Sequence, residues 1–163
     1  MNWRRIIRHL ATPPWRVRQV LQRPTMQAIE RAIRESEQTH RGQICFAVEA
    51  ALDTLPLLRG QSARERAVEV FSQLRVWDTE HNNGVLIYLL LADHDVEILA
   101  DRGIHAKVGV DAWESICRDM EAHFRAGRFE EGALAGIRAV GALLAQHYPG
   151  AGRDELANRP VVL

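Results

Sequence analysis

The sequence predicts an α/β protein: a three-layer α/β/α sandwich on a small mixed sheet, with helices on both faces. Three observations carry this. Residues 43–51 and 84–91 are mainly apolar runs of strand length, a capped amphipathic segment separates them, and a polar turn after the second leads into a short third strand. Two such strands joined through a helix form a right-handed βαβ crossover, and the turn adds a hairpin.

Each element follows from its residues. Trp3, Ile6, Ile7 and Leu10 recur at helical spacing, with Arg4, Arg5, Arg8 and His9 off that stripe, and Pro13-Pro14 stops the helix. Pro24-Thr25 opens a second helix, with Met26, Ile29, Ile33 and Ser36 on one side, ending near Arg41-Gly42. Run 43–51 lacks polar alternation, as expected of a strand buried on both faces. Pro56 and Gly60 mark a loop. Ser62 and Glu65 have the spacing of a capping box, and the helix they open buries Ala67, Val70, Phe71 and Leu74.

Asn82-Asn83 precedes the central strand, Ala92 to Asp95 is a tight turn, and residues 96–100 return as the third strand. Asp111 caps a helix carrying Trp113, Ile116, Cys117, Met120 and Phe124, closed by Gly127. The last helix, about residues 130–147, contains Gly132, Gly136 and Gly141, which permit close packing against the sheet; Pro149 ends it. The chain thus divides into a basic amphipathic arm (1–23), an α/β domain (24–149) and a loose C-terminal tail (150–163).

Bulk composition narrows the function classes. The 163 residues suit one domain, and 47% hydrophobic with 26% charged residues is ordinary globular composition. Net charge is zero but unevenly placed. Six arginines precede the first acid, Glu30, whereas residues 76–123 hold ten acids against Arg102, Lys107 and Arg118. A domain that is not basic overall argues against nucleic acid. No apolar run approaches the ~18 residues of a membrane span, and no signal peptide is evident. Cys45 and Cys117 lie in apolar patterns without metal-like spacing, as buried reduced thiols of a cytoplasmic protein.

Trp77 followed by Asn82-Asn83-Gly84-Val85-Leu86, and the segment Phe124-Arg125-Ala126-Gly127-Arg128-Phe129-Glu130-Glu131-Gly132, resemble the TPM domain family from about Thr25 to Tyr148. Asp111 matches the acid that opens a helix in that family. The resemblance implies the α/β/α fold, divalent-cation binding (chiefly calcium) and, as in plant members, a proposed acid phosphatase activity; other members bind membrane partners. Asn82 stands where the family usually has Asp, and Gly103-Ile104-His105 where it often has Gly-x-Glu.

Independently, a hairpin turn centred on Asp93-His94 places Gly84 opposite Gly103 and gathers Asn82, Asn83, Asp101 and His105 at one end of the sheet, near Asp78, Glu80 and Asp111. Hard oxygens from Asp78, Asn82, Asn83, Asp101 and Asp111 suit Ca2+ or another divalent cation, while His81 and His105 bias the set toward a transition metal. The competing reading leaves Asp111 a helix cap and Asn82-Asn83-Gly84 a turn. Asp93-His94-Asp95 has the spacing of a phosphatase Asp-x-Asp nucleophile pair, but the strand that follows makes it a hairpin turn. No phosphate loop, nucleophile elbow or zinc helix occurs.

The arm offers Trp3, Arg4, Arg5, Arg8, Trp15, Arg16 and Arg18 to a protein partner or an anionic membrane surface; the competing reading packs Trp3 and Ile7 on the domain and leaves the arginines solvated. The sequence therefore reads as a cytoplasmic, non-catalytic binding module, peripheral to the inner membrane if the arm engages lipid. The alternative is a cation-dependent acid phosphatase using Asp111 and its neighbours.

Overall fold

The computed structural model describes residues 2–163. In chain order the first half carries α1 (Trp3–Leu10), α2 (Trp15–Val20), α3 (Arg23–Glu37), β1 (Gln43–Glu49), α4 (Thr54–Leu58) and α5 (Ala63–Gln73). The second half carries β2 (Gly84–Leu90), a 3-10 turn over Leu91–Asp93, β3 (Asp95–Ala100), α6 (Arg102–Val108), α7 (Val110–Arg125), α8 (Phe129–His147) and β4 (Val161–Val162).

The sheet is mixed, in the order β3-β2-β1-β4, and helices cover both faces. β1 and β2 run parallel with Gln43 beside Gly84, and β3 returns antiparallel to β2. Alternation along the strands sorts side chains into two cores. Ile44, Phe46, Val48, Val85, Ile87 and Leu89 pack under α3, α7 and α8 against Ile29, Ile33, Met120, Phe124, Ile137 and Val140. Cys45, Ala47, Leu86, Tyr88 and Leu90 face the other way, against Ile6, Leu57, Ala67 and Val70 of α1, α4 and α5. The mainly apolar runs of β1 and β2 are explained by this two-sided burial.

Several local expectations are corrected. β2 and β3 pair with Leu90 opposite Asp95 and Val85 opposite Ala100, two residues from the expected register. The connection is longer than two residues because Leu91–Asp93 coil into a 3-10 turn and His94 takes φ +50°. A shift of two preserves parity, so every side chain keeps its face. Gly103 lies in α6 rather than opposite Gly84, whose carbonyl instead accepts the Asp101 amide at 2.9 Å. The expected loop around Pro56 contains α4, and α2 and α6 were not foreseen. Asp111 sits exposed in the first turn of α7 and does not cap it; Gly109, at φ +84°, holds the cap position.

The glycines of α8 face helices, not the sheet. A Cβ on Gly136 would lie 2.2 Å from Met120 Sδ, and one on Gly141 would lie 2.1 Å from Ser36 Oγ, so they admit α7 and α3 on either side. Residues 150–163, expected as a loose tail, are tied to the sheet. Gln43, buried, accepts the Glu155 and Leu156 amides at 2.9 and 3.0 Å and donates to the Arg153 carbonyl at 2.8 Å. Val161 and Val162 then pair parallel with Ala47 and Val48, supplying partners that an open edge of β1 would lack.

Candidate functional site

The expected cation ligands are only partly brought together. Asn82, at φ +50°, turns the chain into β2, and Asn83 is fully buried with Nδ2 donating to the Arg41 carbonyl at 3.1 Å. Asp101 lies at the neighbouring strand end and caps α6, its Oδ1 accepting the Arg102 amide at 2.7 Å. Asn83 Oδ1 and Asp101 Oδ2 are buried oxygens without a hydrogen-bond partner. Asp78 is exposed and paired with Arg75 at 2.7 Å, and Asp111 is exposed. Among the described residues no group of three or more His, Cys, Asp or Glu is arranged to hold a metal ion. Calcium takes six to eight oxygens; two orphaned oxygens fit a hard cation only if water completes its shell, as Mg2+ accepts.

The arm is not a free appendage. Val17 and Leu21 are buried in the α3/α7/α8 core, and α1 is clamped to the β2–β3 turn. Asp93 is the centre of the clamp: Arg5 Nε donates to it at 2.9 Å, Arg8 binds its other oxygen, and His9 Nε2 lies 3.0 Å away. The Leu52 amide donates to His9 Nδ1 at 3.0 Å, so the ring presents Nε2–H to the carboxylate. Burial alone would raise the Asp93 pKa, but the His9 ring 3.0 Å away and hydrogen bonds from Arg5 and Arg8 outweigh it and hold the carboxyl well below the usual range. The Asp93-His94-Asp95 turn is thus a docking post for α1.

The clamp divides the expected partner-binding residues. Arg5 is turned inward, where it also donates to the Gln61 carbonyl at 2.8 Å. Trp3, Ile7 and Leu10, at i, i+4 and i+7, form an outward stripe 63%, 64% and 66% exposed. Trp15 at the start of α2 is also exposed, as are Arg4, Arg8, Arg16 and Arg18. Sequence reading missed Leu55 and Leu58 of α4, both exposed, on a helix that packs beside α1. Exposed leucines in a short Pro-containing segment read as a loop gave no periodic signal.

A groove of about 770 Å³ runs along β3 between α5 and α7, and it too was not anticipated. Val96, Ile98 and Trp113 give it apolar walls, while Asp95, Glu97 and Glu121 gather carboxylates at one end. Burial, reinforced by Glu121 and Glu97, pushes Asp95 up to about 7. Glu97 is also raised by burial, with Arg64 at 3.2 Å offsetting part of it. Burial, with the surrounding carboxylates, pushes the Cys117 thiol up to about 12 against the opposing effect of the Ile98 amide, and so favours the protonated thiol. A concentration of half-buried carboxylates attracts cationic groups and repels phosphate esters. The sequence signal was present in two acids at alternate positions of an apolar strand, Asp95 and Glu97.

Comparison with known proteins agrees with this architecture. A family model described as the TPM domain matches residues 17–143. The chain is similar to the BA42 protein of the psychrophilic bacterium Bizionia argentinensis, solved by NMR. They share 30% identity over 86% of this chain and 93% of that one, with a TM-score of 0.75. The N-terminal domain of a P. gingivalis protein shares the fold at 20% identity and TM-score 0.61, over 84% of this chain and 92% of that one. No curated protein matches significantly.

Proposed function

As this chain belongs to the TPM domain family, we propose that it is a non-catalytic member of it, a binding module that docks on an anionic membrane surface through α1 and α2. One observation carries the reading: Trp3, Ile7 and Leu10 stand exposed beside Arg4 on α1, which Asp93 fixes to the domain, and Trp15, Arg16 and Arg18 stand exposed on α2, which follows it. Apolar side chains left in water at this density are costly unless something covers them. Tryptophan favours the headgroup boundary, and each basic residue near an anionic surface adds about 1 kcal/mol. No helix among the described residues is long and apolar enough to cross a membrane, so contact by those helices would be superficial.

The test is co-sedimentation with phosphatidylglycerol-containing vesicles and with phosphatidylcholine vesicles alone. Binding to the first only, weakened by salt and reduced at least about tenfold in the Trp3→Ala/Trp15→Ala variant, is expected, since a fully buried large apolar side chain contributes about 1.5–3 kcal/mol. Equal binding to neutral vesicles, or none, refutes the lipid reading and turns the search to a protein partner for the same face.

A second reading is favoured by the orphaned Asn83 Oδ1 and Asp101 Oδ2: a divalent cation held at the entrance to β2, as the family's cation chemistry suggests. Titration with Ca2+, Mg2+ and Mn2+ should then raise the melting temperature saturably, and Asp101→Asn should remove the rise. Flat curves with all three ions would sink it.

A further inference from the structure

β3 is an edge strand. Its inward amides and carbonyls pair with β2, and by alternation those of Val96, Ile98 and Ala100 point away from the sheet. Three of these outward groups are met by side chains: the Val96 amide donates to Glu121 at 3.1 Å, the Ile98 amide to the Cys117 sulfur, and Arg64 donates to the Ile98 carbonyl at 3.0 Å. Side chains stand where a neighbouring strand would place backbone, so an added strand takes their place on these groups.

Two residues lining this groove at the Asp101 end hold further unmet groups, both covered from solvent just beneath its surface. Trp113 is 4% exposed with its indole Nε1 lacking a partner, and Asp101 is 7% exposed with Oδ2 lacking one. One needs an acceptor and the other a donor, and a peptide unit supplies both. At the far end, Asp95, Glu97 and Glu121 crowd their carboxylates, with Arg64 on Glu97 as the cation drawn in from α5. From Asp95 to Asp101 the floor is about 20 Å long at ~3.4 Å per residue, the reach of an extended segment of about six residues.

We propose that this groove binds an extended peptide that adds to the outer edge of β3, its backbone meeting Trp113 and Asp101 and a lysine or arginine side chain entering the Asp95/Glu97/Glu121 cluster. Strand addition supplies affinity through main-chain hydrogen bonds, and the carboxylates select the basic side chain. Carboxylates already massed at the edge disfavour an acidic segment.

The probe is a capped six-residue peptide of alternating threonine and valine with one central lysine, titrated into the 15N-labelled full chain. The Val96, Ile98 and Ala100 amides and the Trp113 indole N–H should shift along one isotherm. Replacing the peptide's lysine by glutamate should weaken binding at least tenfold. Trp113→Phe should weaken the lysine peptide about fivefold to tenfold, as loss of one hydrogen bond predicts, and Asp95→Asn/Glu121→Gln should abolish the preference for lysine over glutamate. If Trp113→Phe does not fold, the unmodified chain and the carboxamide variant carry the test alone. Unmoved β3 amides at millimolar peptide, or equal affinity for the lysine and glutamate peptides, overturn the proposal. Spermidine shifting the same resonances as tightly as the peptide overturns it too, by making the occupant a small polyamine.

Discussion

Replacing Asp93 by Asn should release α1 from the domain while leaving the sheet folded. Asp93 accepts from Arg5 at 2.9 Å, binds Arg8 and faces His9 at 3.0 Å, with its side chain only 10% exposed. Few other forces hold the helix, since Ile6 and His9 are its only buried residues. Removing one partner of a buried charge cluster costs about 3–5 kcal/mol. Arg8 is half exposed, which discounts its share, and the expected loss is about 2–4 kcal/mol. Hydrogen–deuterium exchange resolved over residues 3–10 is the assay: amides of α1 should lose about 30-fold or more of their protection while those of β1 and β2 keep theirs. Acid should mimic the substitution. Because the folded carboxyl is held below its ordinary value of 3.8, the clamp is complete above that pH and weakens as pH falls toward the folded value. Undiminished α1 protection in Asp93→Asn, or an acid response identical in the variant and the natural chain, would refute this reasoning.

Two further outcomes follow from packing and charge. Burial pushes Glu37 up to about 7, against the opposing effect of the Ile44 amide it accepts at 2.9 Å. A raised carboxyl stabilises the fold below its unfolded value of 4.5, and that contribution is lost as pH rises through about 7. Glu37→Gln keeps an acceptor for Ile44 and should therefore gain about 1–3 kcal/mol over the natural chain at pH 8, after screening, and little at pH 4; urea melts at the two pH values check this. Gly84→Ala should cost more than about 3 kcal/mol, because its Cβ would fall 2.1 Å from the Val76 carbonyl oxygen, where backbone rather than a flexible side chain must move. A thermal melt within a few degrees of the natural chain would contradict that.

The sequence by itself determined the strands β1, β2 and β3, the capping box at Ser62 and Glu65, the stripes of α1, α3 and α7, and so the layered α/β/α class. These are local properties, written in periodicity and cap chemistry. It also marked the arm as basic and amphipathic, but not which residues stay exposed: the same stripe could have packed on the domain, and only the fold turns Arg5 and Ile6 inward while Trp3, Ile7 and Leu10 face out. What it could not determine were relations between distant segments. Asp93 as the anchor of α1 depends on Arg5 and Arg8, more than eighty positions away. Gln43 gathering residues 153–156, and thereby placing β4, joins positions more than a hundred apart. The groove exists because Asp95 and Glu97 of an edge strand meet Glu121 of α7 across a gap that α5 leaves open. Such charge clusters have no period and no fixed spacing. Their energies arise only when folding brings the groups together at low dielectric, so the tertiary structure alone decided them.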